Sequence, residues 1–198
     1  MDNNITVKEA LPVFYKDYHL APDGGVNHSS VKIELMKGVC MYIPNVDARK
    51  KVVLKHDIHH LVTGYTGLLK GETEISAWEL STGCTSNWAA FTINTYGMML
   101  GVPFNLPGLW RAWLRGKNTR NLYHEKYRDE QLLNEKVSDL KKELGLHEEH
   151  KQQANTLTAF VSFAGFLFFG TVFSIASFVL LPFAIGYSLI VSFLKEKL

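Results

Sequence analysis

Cysteine is scarce in this sequence: of 198 residues, only Cys40 and Cys84 are cysteine. Two cysteines exclude a disulfide framework, and their separation lacks the paired spacing of a thiolate metal site. We expect both to be packed thiols in a protein of a reducing compartment. The formal net charge is only +2, and this near balance gives no indication of nucleic acid as a partner.

Three further features are missing. The first nine residues contain acidic side chains and no early apolar run, so we expect neither a signal peptide nor a transit peptide. The sequence also offers no Cys or Ser nucleophile beside a plausible base, and no glycine loop of the phosphate-binding type. The chemistry must therefore come from other residues, and a bacterial cytoplasm is the simplest setting for the domain that carries them.

Histidines and carboxylates gather in one stretch, residues 56–72. His56 and His60 are four positions apart, so on a helix they point the same way, about 6 Å apart along the axis. Asp57 is about 100° further round and can join the edge of that face. Glu72 follows three glycines, where the chain can bend, and so can return a carboxylate from the next helix. This pattern predicts a metal site between helices, with Glu74 and Glu79 as additional carboxylates near the metal.

Two imidazoles and two carboxylates suit a divalent metal, with zinc favoured and iron or manganese as alternatives. Histidines four apart in a charged segment are also typical of a solvated helix face, and the spacing alone leaves both interpretations open. His59 lies on another face, where it is either a surface residue or a support for the ligands. His19 and His28 are isolated, and we expect them at the surface.

Apolar residues recur with a helical period through most of the chain, which predicts an all-α domain over residues 1–150. We expect one helix over residues 47–69, capped by Asp47, and a helical stretch from Glu72 to about residue 100. Residues 31–41 also fit a helical period. Residues 122–146 predict a charged helix or helix pair with one apolar stripe. Gly145 is expected to end it, and a polar linker follows over residues 147–153.

Aromatic, aliphatic and basic residues are mixed over residues 103–117. Tryptophan and arginine among apolar neighbours are typical of an interfacial helix, although the same residues could cap a core. We favour the interfacial reading because of the apolar segment that follows, and it predicts an entrance for a substrate or for membrane lipid. The residues expected to line this entrance are Leu106, Leu109, Trp110 and Trp113.

The C-terminal region lacks charge, since no charged residue lies between Lys151 and Lys195. Nearly 40 strongly apolar residues are too many for one straight span, which needs about 20. We therefore expect residues 151–198 to form a membrane-anchoring transmembrane helical hairpin that turns between Gly170 and Pro182. Lysines on both sides favour two cytoplasmic ends. A buried hairpin of a soluble protein is the alternative.

The order of the predicted ligands resembles the signature of the coenzyme Q biosynthesis protein 4 family. It reads His56-Asp57, two residues, His60, eleven residues, then Glu72. The resemblance covers about residues 5–146. Outside the ligand motif, the residues that are also similar to that family are Gly64, Gly71-Glu72, Trp78-Glu79, residues 113–116 and residues 140–146.

This resemblance implies a helical protein of ubiquinone biosynthesis that is peripheral to a membrane. It implies a divalent metal bound by His56, Asp57, His60 and Glu72. These four residues would take part in catalysis through that metal. It further implies a polyprenylated quinone precursor as ligand, oxidative decarboxylation at ring carbon 1 as the reaction, and other ubiquinone biosynthesis proteins as partners.

A C-terminal hairpin is not expected in that family. We therefore expect this member to be anchored permanently in the cytoplasmic membrane of a bacterium, with its helical domain on the cytoplasmic side. Membrane lipid is then a further partner, and a homodimer is left open.

Two other functions fit the same residues. The first is a non-catalytic, lipid-binding scaffold that organises the ubiquinone biosynthesis enzymes. The second is a membrane-tethered phosphohydrolase that uses the adjacent His56-Asp57 pair. Such an enzyme needs a further upstream histidine and a distant aspartate, for which His28 and Asp129 are available. Turnover by the purified protein separates an enzyme from the scaffold, and phosphate release from nucleotides would favour the phosphohydrolase.

Overall fold

The computed structural model describes residues 4–36, 39–123, 126–146 and 156–195. These parts of the chain are mostly helical, as predicted, and add one β-hairpin. The elements in chain order are α1 (Val7–Asp17), β1 (Ser30–Met36), β2 (Val39–Pro44), α2 (Asp47–Thr63), α3 (Leu69–Thr82), α4 (Trp88–Gly116), α5 (Asp129–Asn134), α6 (Val137–Glu143) and α7 (Thr156–Lys195). The linker expected over residues 147–153 lies outside the described residues.

The helix expected over residues 31–41 is wrong. β1 and β2 pair antiparallel there, with Val31 opposite Ile43 and Ile33 opposite Met41. The local sequence explains the difference, because Val31 to Glu34 alternates apolar and charged residues with a period of two. β-Branched residues in that alternation favour a strand over a helix.

α2 is shorter than the helix expected over residues 47–69. It ends at Thr63 because Gly64 adopts a left-handed conformation with φ of 78° and caps the helix through its N–H. At the other end, Val46 is the capping residue and makes no side-chain hydrogen bond. The predicted cap, Asp47, lies in the first turn and pairs with Lys50 at 3.1 Å.

Helices α3 and α4 pack against each other at close range. A Cβ atom added at Gly101 of α4 would lie 2.6 Å from the Cβ atom of Thr73 on α3, and one added at Gly97 would overlap Ser76. Glycine at these positions therefore lets the two backbones approach. The buried side chains between and beside these helices include Ile75, Trp78, Met98 and Leu109.

α4 is bent at Asn105, whose φ of −138° and ψ of 29° are not helical. Pro103 and Pro107 flank the bend, and Pro107 has no N–H to donate to the carbonyl one turn earlier. The Asn105 amide donates to the Glu74 carboxylate on α3 at 3.1 Å, which holds the bend in place. α4 therefore has two arms, residues 88–104 and residues 106–116.

The charged segment after α4 forms two short helices, which confirms the predicted helix pair. Leu132, Leu140 and Leu144 of its apolar stripe are buried against α1 and α2. Gly145 follows with a positive φ of 76° and ends the pair, as expected. This layer covers the face of α2 that lies away from α3.

α7 differs from the expected hairpin, because the backbone is one continuous helix from Thr156 to Lys195. It includes Gly170 and Pro182, the limits between which a turn was expected. An isolated glycine is tolerated inside a helix, and no polar turn sequence lies between these two residues. At 1.5 Å per residue, the 40 residues of α7 extend for about 60 Å.

By length and composition, one helix in the described part of the chain could cross a membrane. It is the segment Thr156–Val179 of α7, in which an 18-residue window has a mean hydropathy of 2.0 and only 17% of its residues buried. Its buried face packs on α4, where Phe163 contacts Trp110 and Trp113. The remainder of this segment exposes large apolar side chains.

Candidate metal centre

Three of the four predicted ligands meet at one point between α2 and α3. The Nε2 atoms of His56 and His60 are 3.3 Å apart. Each lies 3.2 Å from a carboxylate oxygen of Glu72. The ligand atoms of these three residues all lie within 4.8 Å of one another, a spacing at which they could hold one metal ion. The helix and the glycine-rich turn after it produce this arrangement as the sequence predicts.

Hydrogen bonds behind the histidines fix which nitrogen faces the site. His60 Nδ1 is 3.0 Å from the Tyr65 carbonyl oxygen, which can only accept, so Nδ1 carries the proton. His56 Nδ1 is likewise 3.0 Å from Glu79 Oε1. With Nδ1 donating in both rings, Nε2 is the nitrogen of each ring that faces the same point and that would coordinate a metal there.

Gly64 has a part in this geometry. Its left-handed φ ends α2 and turns the next residue back along the helix. The Tyr65 carbonyl thereby reaches His60 Nδ1. A residue with a Cβ atom would be strained at this φ, although nothing else lies within 4 Å of the position.

Glu79 is the buried carboxylate that supports the site, and its side chain is fully enclosed. Oε1 accepts from His56 Nδ1 at 3.0 Å and from His59 Nδ1 at 2.6 Å. Oε2 accepts from the Tyr123 hydroxyl at 2.8 Å and from the Asn94 amide. Four donors surround one carboxylate, so a charge that would otherwise be costly to bury is fully hydrogen-bonded.

The charges in this cluster depend on one another. Burial by itself raises the pKa of the Glu79 carboxyl, but the imidazoles of His56 and His59 lower it well below its usual value. Burial by itself lowers the pKa of His56, but the carboxylates of Glu79 and Glu72 raise it well above its ordinary value. The cluster therefore holds ionised carboxylates next to imidazoles, which is the electrostatic environment of a cation site.

His59 is not a surface residue. It is fully buried, and its ring meets Trp78 and Tyr123 edge-on. The Leu122 N–H donates to His59 Nε2 at 2.8 Å, so Nδ1 must be the protonated nitrogen that donates to Glu79. Burial lowers the pKa of His59, and the ring is neutral. The alternative reading, a residue that supports the ligands, agrees with this position.

Asp57 does not join the ligand group. Its side chain is buried about 100° round the helix, where Oδ2 accepts from the Tyr15 hydroxyl of α1 at 2.8 Å. Gly24 packs against the same oxygen, since a Cβ atom there would lie 2.8 Å from Oδ2. Burial raises the pKa of Asp57, while His56 and the bond from Tyr15 oppose that rise. In this structure Asp57 joins α2 to α1 and the following loop.

Arg49 and Asn45 lie on the same side as Asp57. The Arg49 guanidinium donates to Asn45 Oδ1 at 3.1 Å. The Asn45 amide in turn donates to the Gly25 carbonyl at 2.6 Å and the His28 carbonyl at 2.7 Å. These bonds hold the loop that covers Asp57. The sequence pattern gave no signal for them, because they join residues whose positions depend on the fold.

The four residues expected at an entrance occupy different environments. Leu109 and Trp113 are core residues, at 0% and 3% exposure. The Trp113 indole N–H donates to Ser162 of α7 at 3.2 Å, so α7 covers it. Leu106 is exposed at the bend of α4, and Trp110 is half-buried against Phe163. An entrance role stays a prediction for Leu106 and Trp110.

The residues considered for a phosphohydrolase do not converge on the site. His28 is exposed, as is His19, which confirms the surface prediction for both. Asp129 is exposed and lies 4.0 Å from Lys55 Nζ. Neither belongs to the cluster formed by His56, His60 and Glu72.

Two further sequence predictions concern nearby residues. Cys84 is buried and unpaired, which confirms the packed thiol predicted for it. Glu74, expected as an additional carboxylate near the metal, instead bonds to Asn105 of α4. Glu79 was expected in the same role and does contact a ligand.

Comparison with known proteins gave no matching family model, no matching curated protein and no matching solved structure. The resemblance to the coenzyme Q biosynthesis protein 4 family therefore rests on the motif residues alone.

Proposed function

We propose that this chain is a metal-dependent enzyme that acts at a membrane on the head group of a polyprenylated quinone precursor. The observation that carries the metal is the convergence of His56 Nε2, His60 Nε2 and the Glu72 carboxylate on one point. Zinc fits two nitrogens and a carboxylate, and iron or manganese fits the same set. Asp57 supports this site from the side in the proposal.

The membrane part of the proposal is supported by α7, with its segment Thr156–Val179 apolar enough to cross a bilayer. A polyprenyl tail dissolves in a bilayer, so an enzyme acting on its head group must work at the surface of that bilayer. The quinone part is supported by the spacing of the histidines and carboxylates in residues 56–72, which resembles the coenzyme Q family signature. In this proposal the helical domain faces the cytoplasm of a bacterium.

The proposed reaction replaces the carboxyl group at ring carbon 1 by a hydroxyl group. With the oxygen counted from water, this exchange releases carbon dioxide, two protons and two electrons, so it requires an oxidant such as dioxygen. A bound metal would supply Lewis-acid character toward the ring oxygens or the carboxylate. His56 and His60 would hold the metal, Glu79 would orient His56, and the closed cluster would exclude water from behind the ligands.

The test uses the full chain in lipid vesicles with a prenylated, ring-carboxylated precursor under air. Loss of the labelled carboxyl carbon as carbon dioxide is followed by mass spectrometry. We expect turnover by the wild type and by Glu74→Gln, which alters a carboxylate on the same helix outside the site. We expect none from His60→Ala. Equal turnover by His60→Ala would contradict the proposal.

A scaffold is the second candidate, and one observation favours it. His56, His59 and His60 of α2 contact Glu72 or Glu79 of α3, so a metal there would tie the two helices together. In that case the purified wild type is inactive, His60→Ala loosens the fold, and the other ubiquinone biosynthesis enzymes copurify with the wild type. Turnover by the isolated protein would contradict the scaffold.

A further inference from the structure

We propose that the first arm of α4 lies in the hydrocarbon layer of the membrane beside α7, so that the two helices together form the membrane-embedded surface of this protein. The occupant of that surface is lipid acyl chain. This inference rests on the proposed function only in taking α7 as the membrane helix, and it is independent of the metal and the reaction.

The packing of α7 on α4 places the first arm of α4 beside the candidate span. Contacts extend from Phe160, which meets Trp110, to Phe173, which meets Tyr96 at a ring-centroid distance of 5.5 Å. Between them, Gly170 packs against Met99. A bilayer needs about 20 residues, and residues 160–173 belong to the candidate span Thr156–Val179. The first-arm residues that they contact, Phe91, Tyr96 and Met99, therefore lie beside that span.

The surface of the first arm is suited to a position in the hydrocarbon layer. Its first arm presents a stripe of exposed, large apolar side chains at intervals of three to five residues. The stripe consists of Trp88 (70% exposed), Ile93 (40%), Tyr96 (41%), Leu100 (43%) and Phe104 (54%). Tyr96 belongs both to this stripe and to the contact with α7, so the apolar surfaces of the two helices are continuous.

Charge is excluded from the same region. No charged residue occurs between Glu79 and Arg111, an interval that includes the whole first arm. Arg111, Lys117 and Arg120 then follow, and all three are exposed. Trp110 is adjacent to Arg111 and contacts Phe160 near the start of α7. Tryptophan next to basic residues marks the level of the lipid head groups, so the aqueous boundary lies at this end of α4.

Placing the first arm of α4 in water instead would expose a large apolar surface. If the bilayer began only beyond Phe173, the α4 stripe would face water together with the outer face of α7. That face includes Phe160 (57% exposed), Phe168 (75%) and Val172 (51%). Soluble monomers rarely expose a contiguous apolar patch of this extent. Burying both helices in lipid removes that exposure.

The test places an environment-sensitive fluorophore on single cysteines in the full chain. The background is Cys40→Ser, because the remaining Cys84 is buried. Labels go at Leu100→Cys and Phe104→Cys on α4, and at Phe168→Cys on α7. The matched control is Leu68→Cys, which is 62% exposed in the turn before α3. The protein is reconstituted in phosphatidylcholine and phosphatidylglycerol vesicles containing lipids with a doxyl quencher midway along the acyl chain.

We expect the Leu100→Cys, Phe104→Cys and Phe168→Cys labels to be quenched to a similar extent, and Leu68→Cys to be unaffected. Quenching at Phe168→Cys without quenching at either α4 position would overturn the inference while leaving α7 as the anchor. Absence of quenching at all labelled positions would overturn both the inference and the membrane part of the proposed function. Neither result bears on the metal site, whose metal binding is measured separately.

Discussion

A hydrogen bond of 3.0 Å joins His56 Nδ1 to Glu79 Oε1 across 23 positions of the sequence. It couples a candidate metal ligand on α2 to a fully buried carboxylate on α3. The bond holds a proton on Nδ1 and directs Nε2 toward Glu72 and His60. The orientation of the candidate site therefore depends on a residue that does not itself belong to the ligand group.

Replacing Glu79 by Gln should weaken metal binding by about 10- to 100-fold, the usual cost of losing a residue that orients a ligand. All four neighbours of the carboxylate donate hydrogen bonds, and an amide offers only one accepting oxygen. Competition with a chromogenic chelator measures the affinity. The control is Glu74→Gln, which alters a carboxylate bonded to Asn105 instead. Equal affinity of Glu79→Gln and wild type would show that Glu79 does not orient His56.

Tyr15→Phe should lower the free energy of unfolding by about 1–3 kcal/mol, because it removes the hydroxyl bonded to the buried Asp57 carboxylate. Tyr18→Phe removes a hydroxyl from the neighbouring turn of chain without touching Asp57 and should have a much smaller effect. Denaturant unfolding in detergent compares the two variants. Equal stability of both would mean that Asp57 gains nothing from Tyr15 and is free for another role.

Gly101→Ala should destabilise the protein by about 1–3 kcal/mol through overpacking. The new methyl group would lie 2.6 Å from Thr73 Cβ and 3.1 Å from Leu109 Cδ2. Gly165→Ala is the matched control, because a Cβ atom there meets nothing within 4 Å. Thermal unfolding of the two variants tests the contact. If Gly101→Ala were as stable as Gly165→Ala, α3 and α4 would have to lie further apart than described.

The Cys84 thiol should stay unreactive in the folded protein well into alkaline pH. Burial, with a contribution from Glu79, raises the pKa of Cys84 to about 12. Because the thiolate is the nucleophile, its fraction at pH 8 should be on the order of 10³-fold below that of an ordinary thiol. Reaction of Cys40→Ser with a disulfide reagent measures this, and unfolding in guanidinium should restore ordinary reactivity. A native reaction rate that rises sharply near pH 8.5 would contradict the burial of Cys84.

The sequence predicts those parts of the fold that depend on local pattern. The helical period and Gly145 identify the α5 and α6 pair, and the four-residue spacing places His56 and His60 on one face of α2. The strands over residues 30–44 are not predicted, because the alternation with a period of two covers only Val31 to Glu34 and the apolar residues of the whole segment also fit a helical period. The hairpin at the C-terminus is predicted from the length of the apolar segment and from the lysines on both sides of it. The backbone continues as one helix because no turn sequence interrupts it.

In the candidate site, too, the local features are predictable from the sequence and the long-range contacts are not. His56, His60 and Glu72 could be predicted because ligand spacing is a local property of a helix and the turn after it. Asp57 was assigned to the ligands by sequence position, whereas its partner Tyr15 lies 42 positions away. The bonds from Tyr123 and Asn94 to Glu79 likewise join distant segments. Such contacts depend on how helices pack, which the spacing of residues along the chain does not encode.

A metal site between α2 and α3 can be tested by the metal content of the detergent-purified full chain after incubation with zinc, iron or manganese. The wild type should retain one metal ion per chain, and His56→Ala/His60→Ala should retain none. His19→Ala/His28→Ala, which removes two exposed histidines outside the site, should retain the metal like the wild type. A wild type without metal, or equal metal in the wild type and His56→Ala/His60→Ala, would contradict a metal site between α2 and α3.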